Sequence, residues 1–356
     1  MFINLPVGIV SLLLSARLVH DPPSLVAQRW KLLQNLHIDY VGIGLLAVGL
    51  SALQIVLDKG QEDDWFGSTL ITACIAIAAV CLASAVIYEL RHKEPVLDLR
   101  LLANRNFGLS SLLVFGLGFV LFASTVLVPQ YLQELLGYSA TDAGLVISPG
   151  GATVAILTIF SARLLKRISA RALIITGWLI AVAANWTMGH TFDFEMTYAW
   201  AAWMRVFQAF GFGLMFVPIS TAAYSFLTRD RVNQASAIYN LARNLGGSIG
   251  ISVMTTVIAR REQFHQNVLG SQIASSDGNL QHWLSSLTTS FRDRGLGAAS
   301  EQHARAWLTT LLTQQSRLLA YLDAFMVIAV FAAIILPFAF FLRDHREGFK
   351  APSGTH

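Results

Sequence analysis

The sequence has 356 residues, of which 54% are hydrophobic and 13% are charged, and its mean hydropathy of +0.56 is too high for an ordinary soluble domain. The net charge of +4 is small and the basic residues are unevenly placed, which argues against a nucleic-acid partner. Two cysteines, Cys74 and Cys81, share one apolar segment without metal-ligand spacing, and we expect them to be small buried hydrophobic side chains. The high mean hydropathy instead predicts that the lipid bilayer is a partner of the chain.

The first apolar run starts at Phe2, and its first positive charge, Arg17, comes after it. A secretory signal has the opposite polarity, with basic residues before the apolar run, so we predict a membrane helix that runs from outside to inside. Eight further apolar runs of about 18 residues or more follow, each long enough to cross a bilayer as a helix. Alternation typical of membrane strands is absent, so the predicted fold class is an all-α integral membrane protein of about nine transmembrane helices. The predicted spans are 2–18, 39–57, 68–89, 106–128, 143–165, 171–189, 198–226, 233–259 and 318–342.

Lysine and arginine concentrate in alternate connections between these spans. The intervening short connections 129–142 and 190–197 contain neither residue type. By the positive-inside rule the basic connections and the C-terminus are predicted to be cytoplasmic. An odd number of spans then places the N-terminus outside.

The connection 260–317 is long and polar, and it is predicted to be extracytoplasmic although it carries six arginines, because long loops translocate largely regardless of charge. From Glu301 onward it is predicted to be a helix continuous with the last span, about 60 Å long. Its histidines, His265, His282 and His303, are too scattered for a metal site, and we expect them to be exposed loop residues.

The seventh span places polar and aromatic side chains on one helical face: Arg205 and Gln208, followed by Phe212 and Phe216. A charge within a span costs on the order of 3 kcal/mol unless it is paired or hydrated. This face could form the wall of a binding site for a hydrophobic, weakly polar ligand, since aromatic rings accept flat apolar or cationic molecules. The alternative is that the two phenylalanines face lipid or a neighbouring helix.

The eighth span carries a second polar stripe that includes Asn240, Arg243 and Asn244. We predict a water-lined cavity beside these three residues, because an unpaired arginine would not persist in lipid. The alternative is that they hydrogen-bond within a helix interface. The neighbouring glycines, Gly246 and Gly250 among them, are expected to allow close helix packing.

Three further residues are weaker candidates. Gln130 and Tyr131 follow Pro129 near the predicted outer mouth and could contact substrate. Asp323, at the predicted outer end of the last span, is the proton-coupling candidate, with a permanently ionised interfacial carboxylate as the alternative. The sequence lacks the residue motifs of a hydrolase, a zinc protease or an ATP-driven pump, so no enzyme activity, catalytic residue or metal site is predicted.

Several strings give the chain a family resemblance: FINLPVG, DYVGIGLLAVGLSALQIVLDKGQEDDWF, VLVPQYLQELLGYSATDAGLVISPGG and RNLGGSIGIS. Together they resemble the fourteen-span drug:proton antiporters of the major facilitator superfamily. The resemblance implies a partial major facilitator fold. Its parts would be the last helix of the N-terminal half at 1–18, two linker helices at 39–89 and a six-helix C-terminal half at 106–342, joined and followed by cytoplasmic segments 19–38, 90–105 and 343–356.

The resemblance also implies that the first five helices of the family have no counterpart here, so that the chain would be a truncated or partial permease. Those helices carry the family's main proton-relay acid. In the loop SARLLKRISAR, Lys166 replaces the acid of the family's cytoplasmic motif, and we expect no charge relay through it.

Two functional hypotheses follow from these observations. The first is proton-coupled export of amphipathic or hydrophobic organic compounds across a bacterial cytoplasmic membrane, driven by the proton gradient without a cofactor. Its partners would be a small amphipathic substrate and a separate N-terminal half or a periplasmic adaptor. The second is a non-transporting membrane scaffold or partner-binding subunit.

Overall fold

A computed structural model of the chain describes residues 4–18, 39–92, 95–228, 231–274, 278–293 and 299–343. The predicted cytoplasmic segment 19–38 and residues 344–356 of the predicted tail lie outside the described residues. Ten α-helices account for most of the described chain, and its described connections include turns and short 3₁₀ segments. The predicted all-α class is confirmed. The helices are α1 (Asn4–Leu18), α2 (Tyr40–Lys59), α3 (Thr69–Arg91), α4 (Arg105–Glu134), α5 (Ala140–Leu164), α6 (Ala170–Thr191), α7 (Tyr198–Tyr224), α8 (Val232–Ala274), α9 (Gly278–Phe291) and α10 (Ser300–Phe340).

Among the described helices, seven are long and apolar enough to cross a membrane: α2 to α7 and α10. Two predicted spans differ from these. Helix α1 contributes only a shorter apolar stretch, Gly8–Leu18, and α8 is not among the seven although it is 43 residues long. The polar stripe predicted on α8 accounts for this difference, because asparagine and arginine lower its hydropathy.

The spans pack as a helix pair beside a larger bundle. Helices α2 and α3 pack on each other, and α2 also touches α8. Helices α4 to α8 and α10 form the bundle, in which α4 is the most buried span and contacts α5, α7, α8 and α10. Asn106 at the start of α4 holds the end of α10, since its side chain donates to the Arg343 carbonyl and accepts from the Arg343 amide, both at 3.0 Å.

The contact between α4 and α8 is close because it runs over glycine. A Cβ added at Gly246 would collide with the carbonyl oxygen of Phe115, and one at Gly250 would lie 2.6 Å from that of Phe119. A side chain is therefore excluded at Gly246 and at Gly250, and its absence lets the two backbones approach each other. The packing role predicted for these glycines is confirmed.

The first part of the predicted connection 260–317, before Glu301, is largely helical among its described residues, which corrects the sequence prediction. Helix α8 continues beyond the predicted span to Ala274, α9 follows, and α10 starts at Ser300. The predicted continuity of this last segment with the final span is confirmed, since α10 is a single helix of 41 residues. The extension of α8 is stabilised from α10 by polar contacts such as the 3.2 Å hydrogen bond from Gln266 to Thr313.

Candidate functional site

A polar cluster lies buried among the apolar spans of the bundle. It consists of Ser124 and Thr125 from α4, Asn185 from α6, and Arg205 and Gln208 from α7. Arg205 is only 6% exposed, and Gln208 and Asn185 are fully buried. Three helices thus bring their polar side chains to one point, as the cost of exposing them to lipid requires.

The hydrogen bonds of the buried polar cluster form a chain across the helices. The Nη1 atom of Arg205 donates to Gln208 Oε1 and, at 3.3 Å, to Ser124 Oγ, while Nη2 donates to Thr125 Oγ1 at 3.4 Å. Gln208 Nε2 donates to Asn185 Oδ1 at 3.0 Å, and the Asn185 amide donates to its own helix. Sequence analysis selected Arg205 and Gln208, and the structure joins them directly.

The charge of Arg205 is balanced by dipoles rather than by a carboxylate. None of the ion pairs found among the described residues includes it. Its Nε atom is buried and has no hydrogen-bond partner within the described chain. A buried guanidinium without an anionic partner retains the capacity to bind an anion or a strong dipole. Thr125, its contact on α4, is only partly buried, so this edge of the cluster lies closest to the outside of the bundle.

The aromatic residues predicted beside Arg205 have different surroundings. Phe212 is 1% exposed and belongs to the hydrophobic core, whereas Phe216 is partly exposed and packs against that core from outside. The face predicted from helical spacing is therefore not one continuous wall. Whether either ring contacts a substrate stays a prediction.

The polar stripe of α8 lies on an open face. Asn240 and Asn244 are exposed, and Arg243 is partly exposed. Asn240 donates to the carbonyl of Ser236 at 2.9 Å, a local contact that leaves the carbonyl end of its amide available. These residues do not join the buried polar cluster. They form a second polar surface on a helix packed among membrane spans.

Gln130 and Tyr131 are adjacent in sequence but have different surroundings in the structure. Gln130 is partly exposed. Tyr131 is buried, its hydroxyl donates to the Asp193 carbonyl at 2.7 Å, and its ring contacts Phe192 and Tyr321. Tyr131 thus ties α4 to the connection between α6 and α7, while its predicted substrate contact remains a prediction.

Asp323 on α10 is engaged in an ion-pair cluster with α8. Its Oδ2 atom lies 2.6 Å from Arg261 Nε and 2.7 Å from His265 Nε2. The prediction that His265 is an exposed loop residue is therefore wrong, because α8 continues as a helix and carries His265 to α10. Nearby, Arg317 contacts Glu262 at 3.2 Å. The coupling role of Asp323 remains a prediction.

Sequence reasoning missed several residues of these clusters. Ser124, Thr125 and Asn185 are small polar residues of a kind common at helix contacts in membranes, so their occurrence in a span does not by itself indicate a site. The lone amide of Asn185 in an otherwise apolar span was the available signal. Three surface grooves found on the described chain lie along α8, α9 and α10, and their linings include none of the predicted site residues.

Comparison with known proteins gives the chain its relatives. Residues 1–251 match the Major Facilitator Superfamily. The multidrug export protein EmrB of Escherichia coli (strain K12) is 31% identical over 355 residues, which are 100% of this chain and 67% of that protein. The fatty acid resistance protein FarB of Neisseria gonorrhoeae is 29% identical over 338 residues, or 94% of this chain and 63% of FarB.

A solved structure shares the fold. It is a bacterial homologue of the human lysosomal transporter Spinster, in an inward-facing and occupied conformation, with a TM-score of 0.51 and 15% identity. The match covers 82% of this chain and 63% of that structure. Both the sequence relatives and this structure are longer than the present chain, which spans roughly two thirds of each.

Proposed function

Because this chain belongs to the Major Facilitator Superfamily, as a multi-pass membrane protein related to the EmrB multidrug export proteins, we propose that it serves proton-driven export of amphipathic or hydrophobic organic compounds. The proposed location is the bacterial cytoplasmic membrane, with the C-terminus in the cytoplasm as the basic connections predict. The proton gradient would supply the energy, and no cofactor is required.

The observation that carries this proposal is the open polar stripe of α8. Asn240, Arg243 and Asn244 are exposed or partly exposed on a helix that packs on the apolar α4 and α10. A polar surface on a helix packed among membrane spans is stable only beside water or protein, since lipid cannot satisfy its hydrogen bonds. In a transporter that surface would face a central cavity, with a second half of the molecule opposite. Substrate would sit there at the level of the membrane.

The buried polar cluster supports a substrate with a polar or anionic end. Arg205 has no carboxylate partner among the described residues, and its contact Thr125 is the cluster's least buried member. An amphipathic acid could place its charged group near this edge and its apolar part along Phe216. The name of FarB, a fatty acid resistance protein, agrees with such a substrate class.

The proposal is tested with the purified full chain in liposomes across which a pH gradient is imposed. Movement of two probes is followed, the cationic dye ethidium and the anionic lipid oleate. We expect proton-dependent movement of at least one probe, and its loss in Arg243→Ala. The matched control is Arg305→Ala, which removes an exposed arginine paired with Glu301 at 2.7 Å and should transport normally.

The same assay decides between transport and the scaffold hypothesis. It is run with the chain alone and with a separately expressed N-terminal half, and circular dichroism confirms that each variant is folded. If neither probe moves in either arrangement, export is refuted and a non-transporting scaffold is favoured. If Arg243→Ala transports as well as Arg305→Ala does, the α8 stripe is not part of the pathway.

A further inference from the structure

Two carboxylates meet between the paired helices α2 and α3, away from both polar regions of the bundle. Asp39 caps the start of α2, and its Oδ1 atom accepts from the Gly42 amide at 2.8 Å and from the Tyr88 hydroxyl at 3.1 Å. Glu89, near the end of α3, is 1% exposed. Its Oε2 atom accepts from the amide of Leu97 at 3.3 Å.

The second oxygen of each carboxylate is buried without a hydrogen-bond partner in the described chain. These atoms are Asp39 Oδ2 and Glu89 Oε1. Both lie beside Gly42, at 2.5 Å and 2.8 Å from the position that a Cβ on this glycine would take. The two unpaired oxygens therefore lie close to one point beside Gly42, in a space that any side chain would fill.

No described cation neutralises this pair. Neither carboxylate takes part in the ion pairs found among the described residues. The guanidinium of Arg100 donates instead to the carbonyls of Leu90 and His92, and the imidazole of His92 stacks on the Tyr88 ring with centroids 5.1 Å apart. Two negative charges facing each other in a buried site repel, and binding one proton removes the repulsion.

We propose that Asp39 and Glu89 form a proton-binding site in which a single proton is shared between Glu89 Oε1 and Asp39 Oδ2. Binding takes one proton from water, forms one O–H bond and leaves the pair with a net charge of −1. Asp39 keeps the charge, since the N-terminus of α2 and the Gly42 amide stabilise a carboxylate there. Glu89 carries the proton and donates a hydrogen bond to Asp39.

A proton fits this site better than a metal cation does. Cations such as Mg²⁺ and Ca²⁺ bind about six or more oxygen ligands. Here only two unpaired oxygens, Asp39 Oδ2 and Glu89 Oε1, are available among the described residues. The Tyr88 hydroxyl cannot add a third, because it donates its hydrogen to the other oxygen of Asp39, Oδ1. The site also reaches the bundle, because Leu97, held by Glu89, belongs to the hydrophobic core that includes α4. Loading and release of the proton would therefore act on the connection between the linker pair and the bundle.

The test is pH-difference infrared spectroscopy of the full chain in liposomes, which detects the C=O stretch of protonated carboxyl groups. We expect a protonated-carboxyl band that persists at pH values where exposed carboxylates are already ionised. Glu89→Gln should abolish this band, and Asp39→Asn should shift its frequency because the accepting carboxylate is lost. The matched control Glu62→Gln, on an exposed residue that pairs with Lys59, should leave the band unchanged.

Three outcomes would overturn the proposal. The first is a wild-type chain without such a band, a result that needs no variant to fold. The second is a band that survives in folded Glu89→Gln or is indifferent to Asp39→Asn. The third is loss of the wild-type band on addition of Na⁺ at constant pH, which would identify a cation site instead. None of these readouts depends on transport, so failure of the export proposal leaves this one to be judged separately.

Discussion

Replacement of Gln208 by leucine is the sharpest test of the buried polar cluster. The change preserves the approximate volume of the side chain and removes two hydrogen bonds at once. Arg205 Nη1 loses its acceptor on Gln208, and Asn185 Oδ1 loses its donor. Arg205 then keeps only the two longer contacts to Ser124 and Thr125, at 3.3 Å and 3.4 Å.

The cost follows from what remains buried and unpaired. Removing a hydrogen bond to a buried charged group costs about 1.5–3 kcal/mol, because the charge loses an acceptor that water cannot replace. In the double variant, in which Arg205→Met also removes the charge, the neutral Asn185 Oδ1 is left without its donor, at about 1–3 kcal/mol. That loss is offset by about 2.5–3.5 kcal/mol, the cost of placing an arginine in a span. The single change Gln208→Leu should therefore destabilise more than the double change Arg205→Met, Gln208→Leu.

Reversible unfolding of the full chain in mixed detergent micelles measures this difference. We expect Gln208→Leu to lower the free energy of unfolding by about 1.5–3 kcal/mol and the double variant to recover most of that loss. The control is Gln133→Leu, on an exposed glutamine of α4, with little effect expected. A double variant no more stable than Gln208→Leu, or a cost for Gln208→Leu below about 1 kcal/mol, would show that Arg205 is hydrated rather than buried.

Further predictions concern packing and coupling. Gly246→Ala places a methyl group against the Phe115 carbonyl and should cost about 1–3 kcal/mol, whereas Gly151→Ala, which has open space, should be neutral or stabilising in the same unfolding assay. Equal effects would contradict the close crossing of α4 and α8. If Asp323 couples protons to transport, Asp323→Asn should abolish movement driven by the pH gradient and retain binding of the ethidium or oleate probe. Normal gradient-driven transport in Asp323→Asn would leave Asp323 with a structural role only, as the partner of Arg261 and His265.

The spans could be predicted because the bilayer imposes length and apolarity on every helix that crosses it. The first part of the polar segment 260–317, before Glu301, could not be predicted as helical on these grounds. Its helices α8 and α10 hold each other through contacts distant in sequence, such as Arg261 with Asp323 and Arg317 with Glu262. A hydropathy pattern carries no information about such pairs. For the same reason the position of His265 in the structure differed from the prediction.

The cost of polarity in a membrane helix identified Arg205 and Gln208 but not their partners. Ser124 and Thr125 each donate to the carbonyl of Leu121 in their own helix, at 3.1 Å and 2.6 Å, so either could be satisfied without any tertiary contact. Only the packing of α4 beside α7 shows that their oxygens also accept from Arg205. Helical spacing likewise cannot predict that Phe216 is more exposed than Phe212, because the exposure of each ring depends on which neighbouring helices cover that part of the face.

Helix α4 connects the two polar regions, and this has a consequence for how they respond to movement. Thr125 accepts from Arg205 on one side of α4. One turn earlier, the ring of Phe122 covers Gly247 of α8, with its Cδ2 atom 2.5 Å from the place of a glycine Cβ. Asn244 lies one turn before that glycine on the open α8 stripe. Close-packed surfaces shift between discrete arrangements rather than deform continuously. A displacement of α4 along α8 would therefore change the hydrogen bonds of Arg205 and, at the same time, the side chains that pack beside the α8 stripe.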